Sequence, residues 1–181
     1  MKKVFYSLFI LIMLFVITGC GAISSCQVDG ETLHFNQQYR DYYITYNYPD
    51  EFKQVELDEY SAYQNQEFEL YNNNNQKILN LRVEQHSLIL SFTPMNEDAQ
   101  KLENDTNHKG VEQQVIKVNG KNMVRYSYRM KDEFGENTLY YVYYGGYSYM
   151  GVNEYIKIIM SNMDGKADFE KAFLSSFRIN N

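Results

Sequence analysis

The chain has no tryptophan, two cysteines and three histidines, and fewer basic than acidic residues. Each scarcity excludes something. The missing indole weakens a reading as a sugar-stacking platform. Two thiols cannot make a multi-cysteine zinc centre. His34, His86 and His108 follow neither HxxxH nor HExxH spacing, so no set of three or four convergent metal ligands is spelled out. Asp29, Glu31 and His34 are the nearest such cluster and read more simply as solvated charges beside a turn. With 17 Lys and Arg against 23 Asp and Glu, the formal charge is −6 and no basic stripe is visible, which argues against a nucleic-acid partner. Gly145-Gly146-Tyr147-Ser148 lacks the following glycine of a nucleophile elbow. Gly120-Lys121 has no glycine-rich loop before it to cradle a phosphate. Asp58, Glu59, Glu67 and Glu69 stand at strand spacings and read as exposed faces, not as the opposed carboxyls of a glycosidase. No catalytic residue, metal ligand or cofactor is assigned, and the chain reads as a non-enzyme.

What is present is first an address. Lys2 and Lys3 precede an almost unbroken apolar run, Val4 to Ile17, which is shorter than the roughly 20 residues a spanning helix needs. It ends on small residues, the pattern of an export signal. Ile17-Thr18-Gly19-Cys20 resembles the bacterial lipobox. The resemblance implies that residues 1–19 are a lipoprotein signal peptide and that Cys20 becomes the mature N-terminus, carrying a diacylglyceryl thioether and an acyl chain such as palmitate. Two or three such chains hold a protein stably on a membrane. The implied place is the extracytoplasmic face of a cell membrane, with the membrane itself a partner through Cys20. Loss of the two leader lysines leaves 162 residues with roughly −8 of charge, so the lipid, not the protein surface, has to do the membrane work. With Cys20 modified, Cys26 has no partner for an intrachain disulfide and reads as a spare thiol.

Residues 20–37 are small and polar and read as a lipidated start and flexible tether; 38–181 read as one domain. Tyr42, Ile44, Tyr46 and Tyr48 alternate with Tyr43, Thr45 and Asn47, a strand that Pro49 stops. Tyr63–Tyr71 and Leu79–Val83 form a second and third strand about the Asn72–Asn75 turn. Met95, Ala99, Leu102 and Thr106 make one stripe of a helix between Thr93 and Gly110. Val111–Val118 and Met123–Met130 flank Asn119-Gly120, the dipeptide of a type I′ hairpin turn. On the second arm Val124, Tyr126, Tyr128 and Met130 share one face, and Arg125, Ser127 and Arg129 the other. Thr138–Tyr144 reads as a central strand broken by Gly145-Gly146, and Tyr155–Met160 as the last strand. A closing helix runs from about Gly165 to Ser176, with Asp164 as its cap and Phe169, Ala172, Phe173 and Ser176 facing inward. This order predicts an α+β fold: an antiparallel sheet of about six to seven strands with helices packed on it.

The run Tyr46-Asn47-Tyr48-Pro49-Asp50-Glu51-Phe52, the hairpin at Val118-Asn119-Gly120-Lys121, and the close Phe169–Ile179 together resemble the PsbP-like family over residues 38–179. Phe52 stands where many members carry tryptophan. The resemblance implies an α/β/α sandwich around a curved sheet and a non-enzymatic role. Relatives assist photosystem assembly, bind a small GTPase in nuclear import or chaperone secreted effectors, and no binding residue transfers from them.

Tyr is abundant at 18 residues, and six of them lie between Tyr140 and Tyr149. Half should point away from any one core. Tyr141, Tyr143, Tyr147 and Tyr149 beside Arg125 and Arg129 are the candidate binding face for an envelope protein or glycan; the competing reading is a core on both faces of the sheet. The function these features join is a membrane-anchored, extracytoplasmic binding or adaptor module. The alternatives are a small cell-envelope hydrolase whose residues converge only in three dimensions, and a solute-binding lipoprotein, for which 162 residues are short.

Overall fold

The computed structural model describes residues 22–55, 65–88, 93–132, 135–149 and 152–180; the leader, Cys20, Asp58 and Glu59 lie outside them. Seven antiparallel strands form the central sheet: β5 (Lys53–Gln54), β6 (Asn65–Tyr71), β7 (Lys77–Leu88), β8 (Lys109–Val118), β9 (Lys121–Lys131), β10 (Asn137–Tyr149) and β11 (Val152–Ser161), in the order β5-β6-β7-β11-β10-β9-β8. Helix α1 (Thr93–Asn104) and helix α2 (Ala167–Ser176) belong to opposite faces, giving the α/β/α sandwich. A small sheet, β12 (Arg178–Ile179), β4 (Ile44–Tyr48) and β3 (Gln37–Arg40), and a hairpin of β1 (Ser25–Val28) and β2 (Glu31–His34) complete the layer on the α2 side.

Alternation sorts the central strands into two cores. On the α2 face Phe68, Leu81, Val83, Met123, Tyr143, Ile156 and Ile158 meet Phe169, Phe173 and Phe177, with Tyr46 of β4 wedged among the rings. The Tyr46–Phe177 ring centroids are 6.1 Å apart, within the range in which aromatic pairs add to simple burial. On the α1 face Tyr126, Tyr128, Val142, Tyr144 and Tyr155 pack around Leu102, with Met95 and Ala99 alongside. Thr106, the fourth residue of that stripe, lies beyond the helix and is exposed.

Three sequence expectations are corrected. The stretch 20–37 is not tether throughout: β1 and β2 pair Cys26 with Leu33, and Cys26, Val28 and Leu33 are buried in the main core. Each strand carries only one or two apolar residues, too few to show as a pattern. Second, Gly145-Gly146 does not break β10, which continues through both to pair with Ile156 and Tyr155. A Cβ on Gly145 would meet the Met123 methyl at 3.0 Å, so the missing side chain makes room for a core methionine. Third, Asp164 does not cap α2, whose N-cap is Lys166 with no side-chain cap bond; its carboxylate is taken by Arg129 and by the Leu139 N–H at 3.1 Å.

Candidate functional site

Odd-numbered residues of β9 and β10 point to the α2 face, so Arg125, Arg129, Tyr141, Tyr143 and Tyr147 do share one side of the sheet. That side is where the final helix docks. Tyr143 is fully buried and donates its hydroxyl to Glu170 of α2 at 2.6 Å. Arg125 lies over the Tyr141 ring at 3.9 Å and faces Glu170 across 3.2 Å. Burial first, then the Glu170 carboxylate, push the Tyr143 phenol well above its ordinary value, so it stays a proton donor. Arg129 pairs with Asp164. Tyr147 donates to Glu154 and its ring lies against Tyr43, with centroids 5.9 Å apart. The side chain of Tyr149 lies outside the described residues. The candidate face is therefore largely an internal seam between sheet and helix, and the two-sided core is the arrangement observed.

The metal-like trio does not converge. Asp29 pairs with Lys166 at 3.3 Å, and His34 with Glu51 at 3.1 Å. Among the described residues no group of three or more His, Cys, Asp or Glu is placed to hold a metal ion.

The most spacious concavity is an open polar groove of about 810 Å³ at the end of the sheet where β6, β9 and β11 finish. Four turns build it: Asp29 from β1–β2, Asn75 and Gln76 from β6–β7, Asp132 and Glu136 from β9–β10, and Asn162, Asp164 and Lys166 from β11–α2. Asp29, Asn75 and Asn162 hold φ of +50°, +59° and +61°, the left-handed region that Asn and Asp tolerate. Side chains lock the loops. Asn72 Oδ1 accepts from the N–H groups of Asn74 and Gln76 at 2.9 and 3.0 Å, and Asp132 Oδ1 from that of Glu136 at 2.8 Å. The rim carries four carboxylates against Lys77 and the buried Lys166. Thr138, whose hydroxyl oxygen has no hydrogen-bond partner among the described residues, also lines it. Such a rim can accept and donate hydrogen bonds at many points and suits a polar partner. Of the residues singled out in the sequence, only Arg129 bears on it, through Asp164.

A second polar cluster lies under α1. Asp98 accepts from Tyr144 Oη at 3.0 Å and from Lys157 Nζ at 2.7 Å, beside a space of about 220 Å³. Glu84 is held by Arg82 at 2.8 Å and His86 at 3.0 Å, and His86 stacks on Tyr155. Burial works to raise the Glu84 carboxyl, but the His86 hydrogen bond and the Lys157 and Arg82 charges outweigh it and hold it below the ordinary glutamate range.

This is an α+β sandwich of the PsbP-like fold. A solved structure similar to it is LpqN of Mycobacterium tuberculosis, described as involved in cell envelope biogenesis, with a TM-score of 0.57, 10% identity, and coverage of 76% of this chain and 83% of LpqN. Another is the cyanobacterial PsbP, CyanoP, of Synechocystis sp., with a TM-score of 0.51, 18% identity, and coverage of 88% of this chain and 99% of that protein. Neither a family model nor a curated protein matches the sequence. Among the described residues no helix is long and apolar enough to cross a membrane.

Proposed function

We propose that this chain is a lipid-anchored, non-enzymatic binding module of the cell envelope, which presents its polar groove to an envelope protein or glycan. The lipobox-like Ile17-Thr18-Gly19-Cys20 supports the anchor, and the similarity to LpqN, with its part in envelope biogenesis, supports the setting. The observation that carries the reading is the position of the groove. Described structure begins at Ala22, and Ile23 donates its N–H to Ser175 Oγ at 2.9 Å, at the C-terminal end of α2. The groove lies at the other end of that helix, beside Lys166. A module moored at Cys20 would thus hold its groove on the side away from the mooring. The turns that form the groove are fixed by their own hydrogen bonds, which lowers the ordering cost of binding.

Two measurements test the reading. Intact mass of the protein isolated from bacterial membranes should show Cys20 as the N-terminus, diacylglyceryl-modified; a bare Cys20 or a retained leader rules out the anchor. Photo-crosslinking residues placed at Asn75 and Glu136 should give adducts in the envelope that a residue at Val115, on β8, does not. The same adducts from all three positions, or none from the groove, count against a groove-binding module.

A further inference from the structure

We infer that the end of the domain around Ile23 is a lipid-docking face, which seats on phospholipid head groups and sets the protein at one orientation to the bilayer; the inference rests on the anchor at Cys20 proposed above. Only Gly21 and Ala22 separate Cys20 from Ile23. Three residue steps of extended chain span at most about 11 Å. Ile23 is part of the folded body: its N–H is bonded to Ser175 and its side chain packs on the main core. A sulfur whose acyl chains lie in the bilayer therefore cannot be far from this end, and the head-group layer has to meet it. A tether of ten or more residues would have left the domain free to turn; two residues do not.

The surface that would meet the lipid fits it. The Asn119-Gly120 turn stands beside the same helix end, with Asn119 Nδ2 donating to the carbonyls of Leu174 at 3.0 Å and Phe177 at 2.6 Å. Lys117 and Lys121 flank that turn, and Arg178 lies next to it, its guanidinium on the carbonyl of Ser175 at 2.7 Å. From Arg178 the chain runs along β4 to Asn180, whose N–H reaches the carbonyl of Tyr43 at 2.7 Å. Tyr42, next to it, is 63% exposed, one of only two large hydrophobic side chains so exposed among the described residues. An exposed tyrosine and nearby cations are the groups that settle among head-group phosphates. The two carboxylates near Tyr42 are turned inward. Asp41 accepts from Tyr39 Oη at 2.9 Å, from the N–H groups of Tyr43 and Ile44 at 2.7 Å each and from Gln85 at 2.5 Å; Glu154 is buried against Tyr147. Affinity comes from the acyl chains, and these groups fix the angle at which the domain stands.

The absence of tryptophan makes the test clean. Tyr42→Trp and Asn122→Trp each put one indole at the docking end, and Glu136→Trp puts one at the groove end. Each full-length, lipidated variant is purified from membranes and reconstituted in phosphatidylcholine–phosphatidylglycerol vesicles, with and without brominated acyl chains. Co-flotation with the vesicles reads the anchor. Emission at positions 42 and 122 should be quenched about twofold or more by the brominated lipid, and emission at 136 left unchanged. Equal quenching at all three positions, or none in protein that floats, overturns the docking face while leaving the anchor standing. Protein that fails to float, with Cys20 unmodified by mass, overturns the anchor and the docking face together. Two independent near-end reporters keep the test intact if one substitution disturbs folding.

Discussion

Tyr143 and Glu170 join the central sheet to the last helix through a 2.6 Å hydrogen bond, in a seam where Arg125 supplies the counter-charge. Tyr143→Phe removes one donor and leaves Glu170 paired with Arg125. A hydrogen bond to a charged group is worth about 1.5–3 kcal/mol, and the loss should fall in that range. Glu170→Ala should cost more, because it strands both the tyrosine hydroxyl and the Arg125 guanidinium. Urea unfolding of the two single variants and the double variant measures the coupling. If the two losses simply add, the seam is not a unit.

The Asn119 side chain serves the final helix and not only its own turn. Its amide nitrogen donates to carbonyls at the end of α2, groups with no acceptor role left inside the helix, and its φ of +48° suits the type I′ turn. Asn119→Ala loses both the amide and the easy left-handed backbone, for about 1–2 kcal/mol. Asn119→Gly keeps the backbone freedom and loses only the amide, so it should be the milder of the two. Equal unfolding midpoints for wild type and both variants would falsify the capping role.

How much of this was legible in the sequence differs by element. The two faces of β9 follow from alternation, and Asn119-Gly120 announces its hairpin. Alternation says that Arg125 and Tyr126 point opposite ways, but not which face a helix forty residues later will cover. Glu170 decides that, and so the Arg125–Tyr143 face became a seam. The first hairpin was hidden because Cys26, Val28 and Leu33 are three apolar residues among polar neighbours, and their burial depends on α2 far along the chain. The groove is a related case. Asp29-Gly30, Asn72–Asn75 and Gly135 each read as turns, yet nothing local says that these turns meet at one end of the sheet. Asp164 looked like a helix cap because it precedes α2, and Arg129 on a neighbouring strand claimed it instead.

The first hairpin makes a prediction about where the domain starts. Removing residues 21–26 deletes the Ile23–Ser175 bond and half of β1, and strips a partner from the buried Leu33. A soluble form beginning at Gln27 should therefore unfold at lower urea than one beginning at Gly21, by several kcal/mol in stability, the range for exposing core side chains. Identical midpoints would return this stretch to the status of a tether.

Cys26 offers a chemical probe of the same hairpin. Burial first, then the Asp168 and Glu51 charges, push its thiol up to about 11. At pH 8 almost none is thiolate, and the thiolate is the nucleophile. In a Cys20→Ala form, the disulfide reagent DTNB should react slowly with the folded protein and at once after unfolding in urea. Rapid reaction without denaturant would mean that β1 opens readily.

The acid limb of stability follows from the depressed carboxyls. Glu84 and Glu69 lie below the ordinary glutamate value of 4.5; in both, burial pulls upward and is outweighed, in Glu84 by His86, Lys157 and Arg82, in Glu69 by Tyr71 and Lys77. Asp164 lies below 3.8, chiefly through its hydrogen bond from Arg129. For each, the folded state binds protons less readily than the unfolded chain. Their stabilisation is then complete above the ordinary carboxyl range and is lost as the pH falls through the lower folded values. Glu84 is the most buried of the three and should weigh most; Asp164 is half exposed, and solvent screens it. The urea midpoint compared between wild type and Glu84→Gln isolates this share from the general relief of negative charge on acidification. The difference between the two proteins should be largest at pH 6–7 and should shrink below about pH 4. A difference that stays constant across that range would mean that Glu84 acts through packing and not through its charge.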